Sequence, residues 1–517
     1  MDVVKKYQPF WMYALWLCSM VGFFYPLLHL YVDPDGTAYL TIAQRYASGD
    51  VHTAINGYWS PWACWLAALG IKLGLQAILS GVIVNTLGAI GFLYAVRALF
   101  IRLQIIPHYC HMLLWSMAFF LCFAVYYQSF DDLWECFFLM VALLLMISEA
   151  YTTKWLLWVL TGMLGALAYF AKSYALPFFI LNTVVCLYFI TGKSWVKTLT
   201  IWSVIIITVV VYCFPWWWLL QHKYGFWTTS TAGSLNTSWY LVGHPYWKPQ
   251  LQQLLPPAHA DSPYYWEDPY YANAATPHFW SSGALALRQS LRLVQNTGKL
   301  LVSMVQLSVF FPFVAIVLGS FVVNRKVRNS SSPAFIVALS FCLFPLGYWL
   351  VNFEQRYIWY MLPIGLAGGM LFIQNHVLPN QTSKWVQIIP YLFVISFWVY
   401  PSWWLFSTAG EGRIEYRLAQ EMKQQYIQGS WCSNALPGDE TRFMVRLAYF
   451  TGNPYYAAPV DQSYPASDII RYGVKYYVYF PDQRSLGSVL DPAAFHPPLY
   501  KIFYDSVSHI SVFKICP

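Results

Sequence analysis

Charge is what this chain has least of: Asp, Glu, Lys and Arg together make up 10% of its 517 residues, where a soluble domain carries about 25%. That scarcity excludes an ordinary soluble globular protein. The formal charge of +8 forms no nucleic-acid footprint, because no basic run exceeds a few residues and the Lys and Arg sit in short clusters between apolar segments. Metal-ligand spacing is missing from the ten cysteines, and most of them, such as Cys18, Cys122, Cys186, Cys213 and Cys342, lie inside apolar stretches as small hydrophobes. Cys432 and Cys516, in the polar C-terminal part, are a candidate disulfide pair. No small-residue cleavage site follows the first apolar stretch, which therefore reads as a retained signal anchor. Internal repeats and low-complexity tracts are absent too.

What is present is apolar and aromatic. The apolar share is 58% and the aromatic share 20%, with 26 Trp and 40 Tyr, a composition suited to lipid and to the membrane-water interface where amphipathic rings settle. Windows of about 20 mostly apolar residues predict membrane spans near 10–30, 77–98, 111–127, 133–150, 155–171, 174–191, 198–219, 300–323, 334–351, 357–374 and 386–405, about eleven in all. With the N-terminus cytoplasmic, the inner loops carry Lys5 and Lys6, Arg97 and Arg102, Lys154, Lys193 and Lys197, Arg325, Lys326 and Arg328, and Lys384, as the positive-inside rule requires. The outer side then receives Asp33, Asp35, Asp131, Asp132, Glu135 and Glu354, with Lys172 and Arg356 at outer helix ends.

The expected architecture is a polytopic α-helical membrane protein over residues 1–408 followed by a small extracytoplasmic α/β domain over 409–517. Two outer connections, 31–75 and 221–298, are too long to be simple loops. In the first, Tyr39, Ile42, Ala43, Tyr46 and Ala47 repeat at the spacing of one helical face, and Trp59 to Leu73 is a second helical stretch, so both are expected as interfacial helices. The second, with Gly243-His244-Pro245 and Ser262-Pro-Tyr-Tyr-Trp266, is expected as an irregular cap. Past Gly410, Glu411 to Gln428 has a polar helical pattern, while Val474 to Phe480 and His509 to Ile515 read as strands.

Polar chemistry gathers at the outer face rather than in mid-span. Asp33 and Asp35 follow the first span directly; Asp35 suits the N-cap of a helix beginning near Gly36, and Asp33 followed by Pro34 suits a turn or a cap. A carboxylate at that depth also suits deprotonation of a hydroxyl or amine attacking a lipid-linked substrate. Lys172 either snorkels or holds a lipid phosphate. In Asn352-Phe-Glu-Gln-Arg-Tyr357, Glu354 and Arg356 either pair with each other or present the Arg fork to phosphate oxygens. Asp131, Asp132 and Glu135 suit a helix N-terminus through its dipole.

With these residues in place, the chain resembles the GT-C superfamily of membrane glycosyltransferases, in the branch of protein O-mannosyltransferases and the lipid A aminoarabinose transferase. Asp35-Gly-Thr-Ala-Tyr39 is similar to that family's first-loop acid followed by Tyr, Ala54-Ile-Asn-Gly-Tyr-Trp-Ser-Pro61 to its next loop element, and Arg356-Tyr357 with Leu362-Pro363 to its late Arg-Tyr segment. Leu167 to Lys172, Pro215-Trp-Trp-Trp and Tyr224-Gly225 agree, and the resemblance covers residues 1–405. It implies inverting transfer of a sugar from a polyprenyl-phosphate donor to a hydroxyl or amine of a glycan, lipid or protein acceptor, at the outer face of a bacterial plasma membrane. Asp35 then matches the general base, Lys172 and Arg356 match phosphate-holding cations, and Tyr39, Tyr58 and Glu354 belong to the substrate site. The chain departs from the family in two places: the usual Asp-Glu pair is Asp35-Gly36, with the extra acid at Asp33, and the Lys of the loop element near Tyr58 to Trp62 is missing. Some members use a divalent cation and others do not, and Asp33 is the residue that keeps a metal in play. A lipid-linked glycan polymerase or ligase, and a transporter or flippase, are the competing readings.

Overall fold

The computed structural model describes residues 8–127, 130–243, 254–272, 276–324, 332–379, 385–436, 438–457, 466–481 and 499–515. Lys5, Lys6, His244, Pro245, Arg325, Lys326, Arg328, Lys384 and Cys516 lie outside them.

After α1 (Phe10–Leu28) come three shorter helices in the first long connection, α2 (Pro34–Ser48), α3 (Val51–Ala54) and α4 (Pro61–Lys72). An uninterrupted apolar series follows: α5 (Ala77–Arg102), α6 (Pro107–Tyr126), α7 (Asp132–Met146), α8 (Trp155–Ala171), α9 (Ala175–Ile190) and α10 (Trp195–Tyr224). The second long connection contains α11 (Ala232–Val242) and leads to α12 (Gly283–Leu307) and α13 (Phe311–Val323). The membrane part closes with α14 (Pro333–Leu343), α15 (Leu346–Val351), α16 (Met361–Phe372), α17 (Ile389–Ser396) and α18 (Val399–Ser407).

Each of the eleven expected windows is helical. Among the described residues six segments are long and apolar enough to cross a bilayer as they stand, and α8 and α9 are shorter apolar helices beside them. Small residues let these helices approach closely: a Cβ on Gly162 of α8 would lie 2.7 Å from the Ile205 carbonyl oxygen of α10.

Two expectations need correcting. The window 300–323 is not one straight span, because α12 and α13 meet at 114°. Ser308 leaves the helical region there, its hydroxyl accepts the Phe310 N–H at 3.1 Å, and Pro312 opens the next helix. Nor does α2 lie exposed at an interface, since Gly36 to Ala43 are all buried. The repeat of apolar residues marks one face, but the other faces are buried as well, because the Thr37 and Thr41 hydroxyls donate back to the carbonyls of Asp33 and Thr37 at 3.0 and 2.8 Å. A helix whose hydroxyls are satisfied internally can be enclosed on every side.

The C-terminal part holds α19 (Arg413–Gln424), β1 (Trp431–Ser433), α20 (Asp439–Thr451), α21 (Ala466–Arg471), β2 (Tyr476–Tyr479), β3 (Leu499–Tyr504) and β4 (Ser511–Ile515). Its sheet runs β1-β2-β4-β3, with β1 and β2 parallel and the other pairs antiparallel. The two expected strands are β2 and β4, paired with Tyr477 opposite Phe513. Leu418, Met422 and Leu447 share one continuous apolar core with the membrane helices, while Leu254 from the second connection joins Cys432, Ile469 and Tyr477 under the sheet. The contact is close. Gly412 has φ +85°, and a Cβ there would stand 2.0 Å from the Leu30 carbonyl oxygen, so only glycine suits the position. Buried Arg446 donates to the Val32 carbonyl at 2.8 Å and pairs with Glu411 and Glu415 at 2.8 and 3.0 Å. The segment carrying the two acids is thus held between the end of α1 and α20.

Candidate active site

The turn after α1 sets the site. Pro34 opens α2 with a preset φ, and the Asp33 carboxylate accepts the Gly36 N–H at 2.6 Å. The cap is therefore Asp33, and the expectation that Asp35 caps a helix starting near Gly36 is corrected: the helix starts two residues earlier, with Asp35 in its first turn. Burial, then repulsion from Asp35, pushes the Asp33 carboxyl up to about 7.

Released from capping, Asp35 is held by two groups far away in sequence. Its Oδ2 accepts from Arg356 Nη2 at 2.7 Å, and its Oδ1 accepts from the indole of Trp266 at 2.9 Å. Arg356 Nε also donates to Glu354 Oε2 at 2.9 Å. The local Glu354–Arg356 pair thus exists, but Arg356 bridges it to Asp35. Asp33, Asp35, Glu354 and Arg356 line a single cavity of about 820 Å³. Tyr127, Tyr400 and Trp404 give it aromatic walls, α12 contributes Lys299 and Gln306, and α20 contributes Arg442.

Lys172, Tyr39 and Tyr58 are not among the residues lining this cavity. Lys172 contacts the Asp132 carboxylate closely and stands 3.8 Å from Asp131. Its ammonium is held by these two acids, outside the lining of the cavity. Asp132 and Glu135 do occupy the first turn of α7, as the dipole argument expects. Tyr39 is buried between Trp59 and Phe130, with ring centroids 5.1 and 5.7 Å away. Tyr58 supports the site indirectly. Its hydroxyl donates to Asn236 at 2.9 Å and its ring meets Trp266 edge-on at 5.3 Å, so it fixes the indole that holds Asp35.

Ion pairs of the buried cations Arg45 and Lys223 position the second long connection over the first. Arg45 donates to Asp261 at 2.9 and 3.1 Å and to Glu267 at 2.5 Å. Asn56 donates to the Glu267 carbonyl at 2.7 Å, and Lys223 pairs with Asp268 at 3.0 Å. The turn Ala54–Pro61 and the segment Ser262–Trp266 are in this way clamped together, which delivers Trp266 to Asp35.

Sequence reasoning missed Trp266, Lys299 and Arg442. Trp266 lay in a segment read only as a cap, and Lys299 stood beside an apolar window as its one adjacent cation. Nothing local marked Arg442. As for a metal, no group of three or more His, Cys, Asp or Glu among the described residues is arranged to hold one. Asp33 and Asp35 accept hydrogen bonds from Gly36, Arg356 and Trp266.

The helical membrane bundle with its small C-terminal α/β part is a fold shared with solved membrane-protein structures. It is similar to the crystal structure of ArnT from Cupriavidus metallidurans bound to undecaprenyl phosphate, with a TM-score of 0.55 and 12% identity over 98% of this chain and 97% of that chain. The same enzyme in the apo state matches with a TM-score of 0.53 and 13% identity over 94% of each chain. No family model and no curated protein matches the sequence. At these identities the likeness shows the fold, which the expected GT-C architecture anticipated.

Proposed function

We propose that this protein is an inverting glycosyltransferase that moves a sugar from a polyprenyl-phosphate donor to a hydroxyl or amine acceptor at the outer face of the membrane. The observation that carries the reading is the ion pair of Asp35 and Arg356, 2.7 Å apart in the wall of the 820 Å³ cavity. Acid and guanidinium are the two groups the reaction needs side by side, one for the acceptor proton and one for the leaving phosphate. The ArnT structure with bound undecaprenyl phosphate supports the donor class.

In the transfer, the acceptor oxygen or nitrogen forms a bond to the anomeric carbon from the face opposite the phosphate, and the carbon–oxygen bond to the phosphate breaks with inversion. Asp35 takes the acceptor proton. Arg356 shares its charge with the departing phosphate through the donors that face it, and Lys299 adds a second cation to the cavity. In the resting state Arg356 is satisfied by Asp35 and Glu354. Arrival of the phosphate draws the guanidinium toward its oxygens and leaves Asp35 less neutralised and more basic.

The test is incubation of the purified protein in lipid nanodiscs with a panel of polyprenyl-phosphate sugars, with released polyprenyl phosphate as the product measured. Turnover with at least one donor is expected. Failure with every donor would return the protein to the transporter reading.

A further inference from the structure

Behind Arg356 lies a group of charges and rings that the transfer itself does not use. Lys172, between α8 and α9, has 13% of its side chain exposed and sits against the Asp132 carboxylate, with Asp131 at 3.8 Å. Its ammonium lies 4.6 Å from the ring centroid of Tyr357 and 5.7 Å from that of Tyr348. Tyr348 stacks on Tyr357 at 4.5 Å with 8° between planes, and Tyr174 stacks on Tyr348 at 3.6 Å. The Arg356 guanidinium is itself 5.3 Å from the Tyr357 ring. Tyr357 therefore has two cations, one fixed by buried acids and one bound to Asp35.

We propose that Lys172 is a positioning residue: a built-in cation, anchored by Asp131 and Asp132, that seats Tyr357 and thereby aims Arg356 at Asp35 and the donor phosphate. The physical argument has three parts. A lysine enclosed between two carboxylates has little rotational freedom, so its position is set by charge rather than by packing. A cation near an aromatic face attracts the ring, more strongly when water is excluded. Tyr357 is covalently next to Arg356, so any displacement of its ring is passed to the guanidinium within one residue. Asp132 is 1% exposed and its second oxygen has no hydrogen-bond partner. The acid thus depends on the ammonium, and removing Lys172 leaves a buried charge that must rearrange.

The kinetic part of the test rests on the transferase reading, and the structural part does not. In nanodiscs, full-length Lys172→Met is expected to lose about a hundredfold in kcat, as misplacement of a reacting group by about 1 Å does. Its affinity for undecaprenyl phosphate should fall less than its kcat, because Lys172 does not line the cavity and acts only through Arg356. Lys172→Ala should regain activity when n-propylammonium is added, a rescue that a purely structural defect would not show. Should the single variants not fold, the pair Lys172→Met with Asp132→Asn removes both charges of the closest pair, with Asp131 keeping its own. It should remain slow, since Tyr357 still lacks its cation. Wild-type kcat in the paired variant overturns the proposal, and so does weakened undecaprenyl phosphate binding at undiminished kcat, which would make Lys172 a phosphate ligand. Cryo-electron microscopy of the paired variant is the arm independent of activity. Separation of Arg356 from Asp35 is expected, and an intact ion pair would refute the inference even if no donor were ever turned over.

Discussion

Replacing Asp35 by Asn separates two effects that a simple loss of activity would merge. Asp35 and Arg356 form an ion pair at 2.7 Å with 19% and 12% of their side chains exposed. A donor phosphate bound to the guanidinium away from Asp35 would stand roughly 7 Å from the Asp35 charge, where repulsion at an effective dielectric constant of 20 is about 2 kcal/mol. Halving this for the remaining exposure and for salt leaves about 1 kcal/mol, or roughly fivefold in affinity. Asp35→Asn should therefore bind undecaprenyl phosphate about five times more tightly while losing about a hundredfold to ten-thousandfold in turnover, the usual contribution of a general base. Trp266 can still donate to the amide oxygen, so the fold should be kept. The assay is equilibrium binding of labelled undecaprenyl phosphate beside single-turnover transfer in nanodiscs. Turnover close to wild type would remove Asp35 from the chemistry, and weaker binding would show that the phosphate does not share Arg356 with it.

Arg356→Ala should raise the apparent donor KM by at least about tenfold, the worth of a charge-assisted hydrogen bond to phosphate, and an unchanged KM would assign the phosphate to other cations. Asp33 titrates near 7 in the fold against an ordinary 3.8, so the folded chain keeps a proton that the unfolded chain releases between those values. The stability this group supplies is full below 3.8 and is lost as pH rises through 7. Asp33→Asn, which keeps a cap acceptor, should flatten that part of the dependence of Tm on pH, and an unaltered curve would place the titration elsewhere. Arg446→Met leaves Glu415 buried without its cation and should cost about 3 to 5 kcal/mol, read as a fall in Tm and faster proteolysis of the C-terminal part. Gly412→Ala should destabilise the same junction through the clash with the Leu30 carbonyl, measured by the same two assays.

The sequence by itself determined the solvent and the element list. Scarce charge and eleven apolar windows specify membrane helices because a bilayer leaves no other way to satisfy so much backbone, and the alternation in 474–480 and 509–515 was enough to find β2 and β4. It also determined which short segments carry acids and cations, since few polar residues compete for attention in so apolar a chain. Tertiary structure decided how those groups divide the work. Asp33 rather than Asp35 became the cap because Pro34 starts the helix earlier than the apolar repeat suggests. Lys172 turned to Asp131 and Asp132 and Arg356 turned to Asp35, partners 40 and 321 residues away, and no local pattern encodes a choice among charges that distant. Lys299 and Arg442 entered the cavity wall, and Trp266 reached Asp35 behind it, through the same long-range packing, as α12 bends away from α13 and Arg446 holds α20 against the end of α1. Charge pairing in an enclosed space depends on where neighbouring elements place the opposite charge, and that position exists only once the chain has folded.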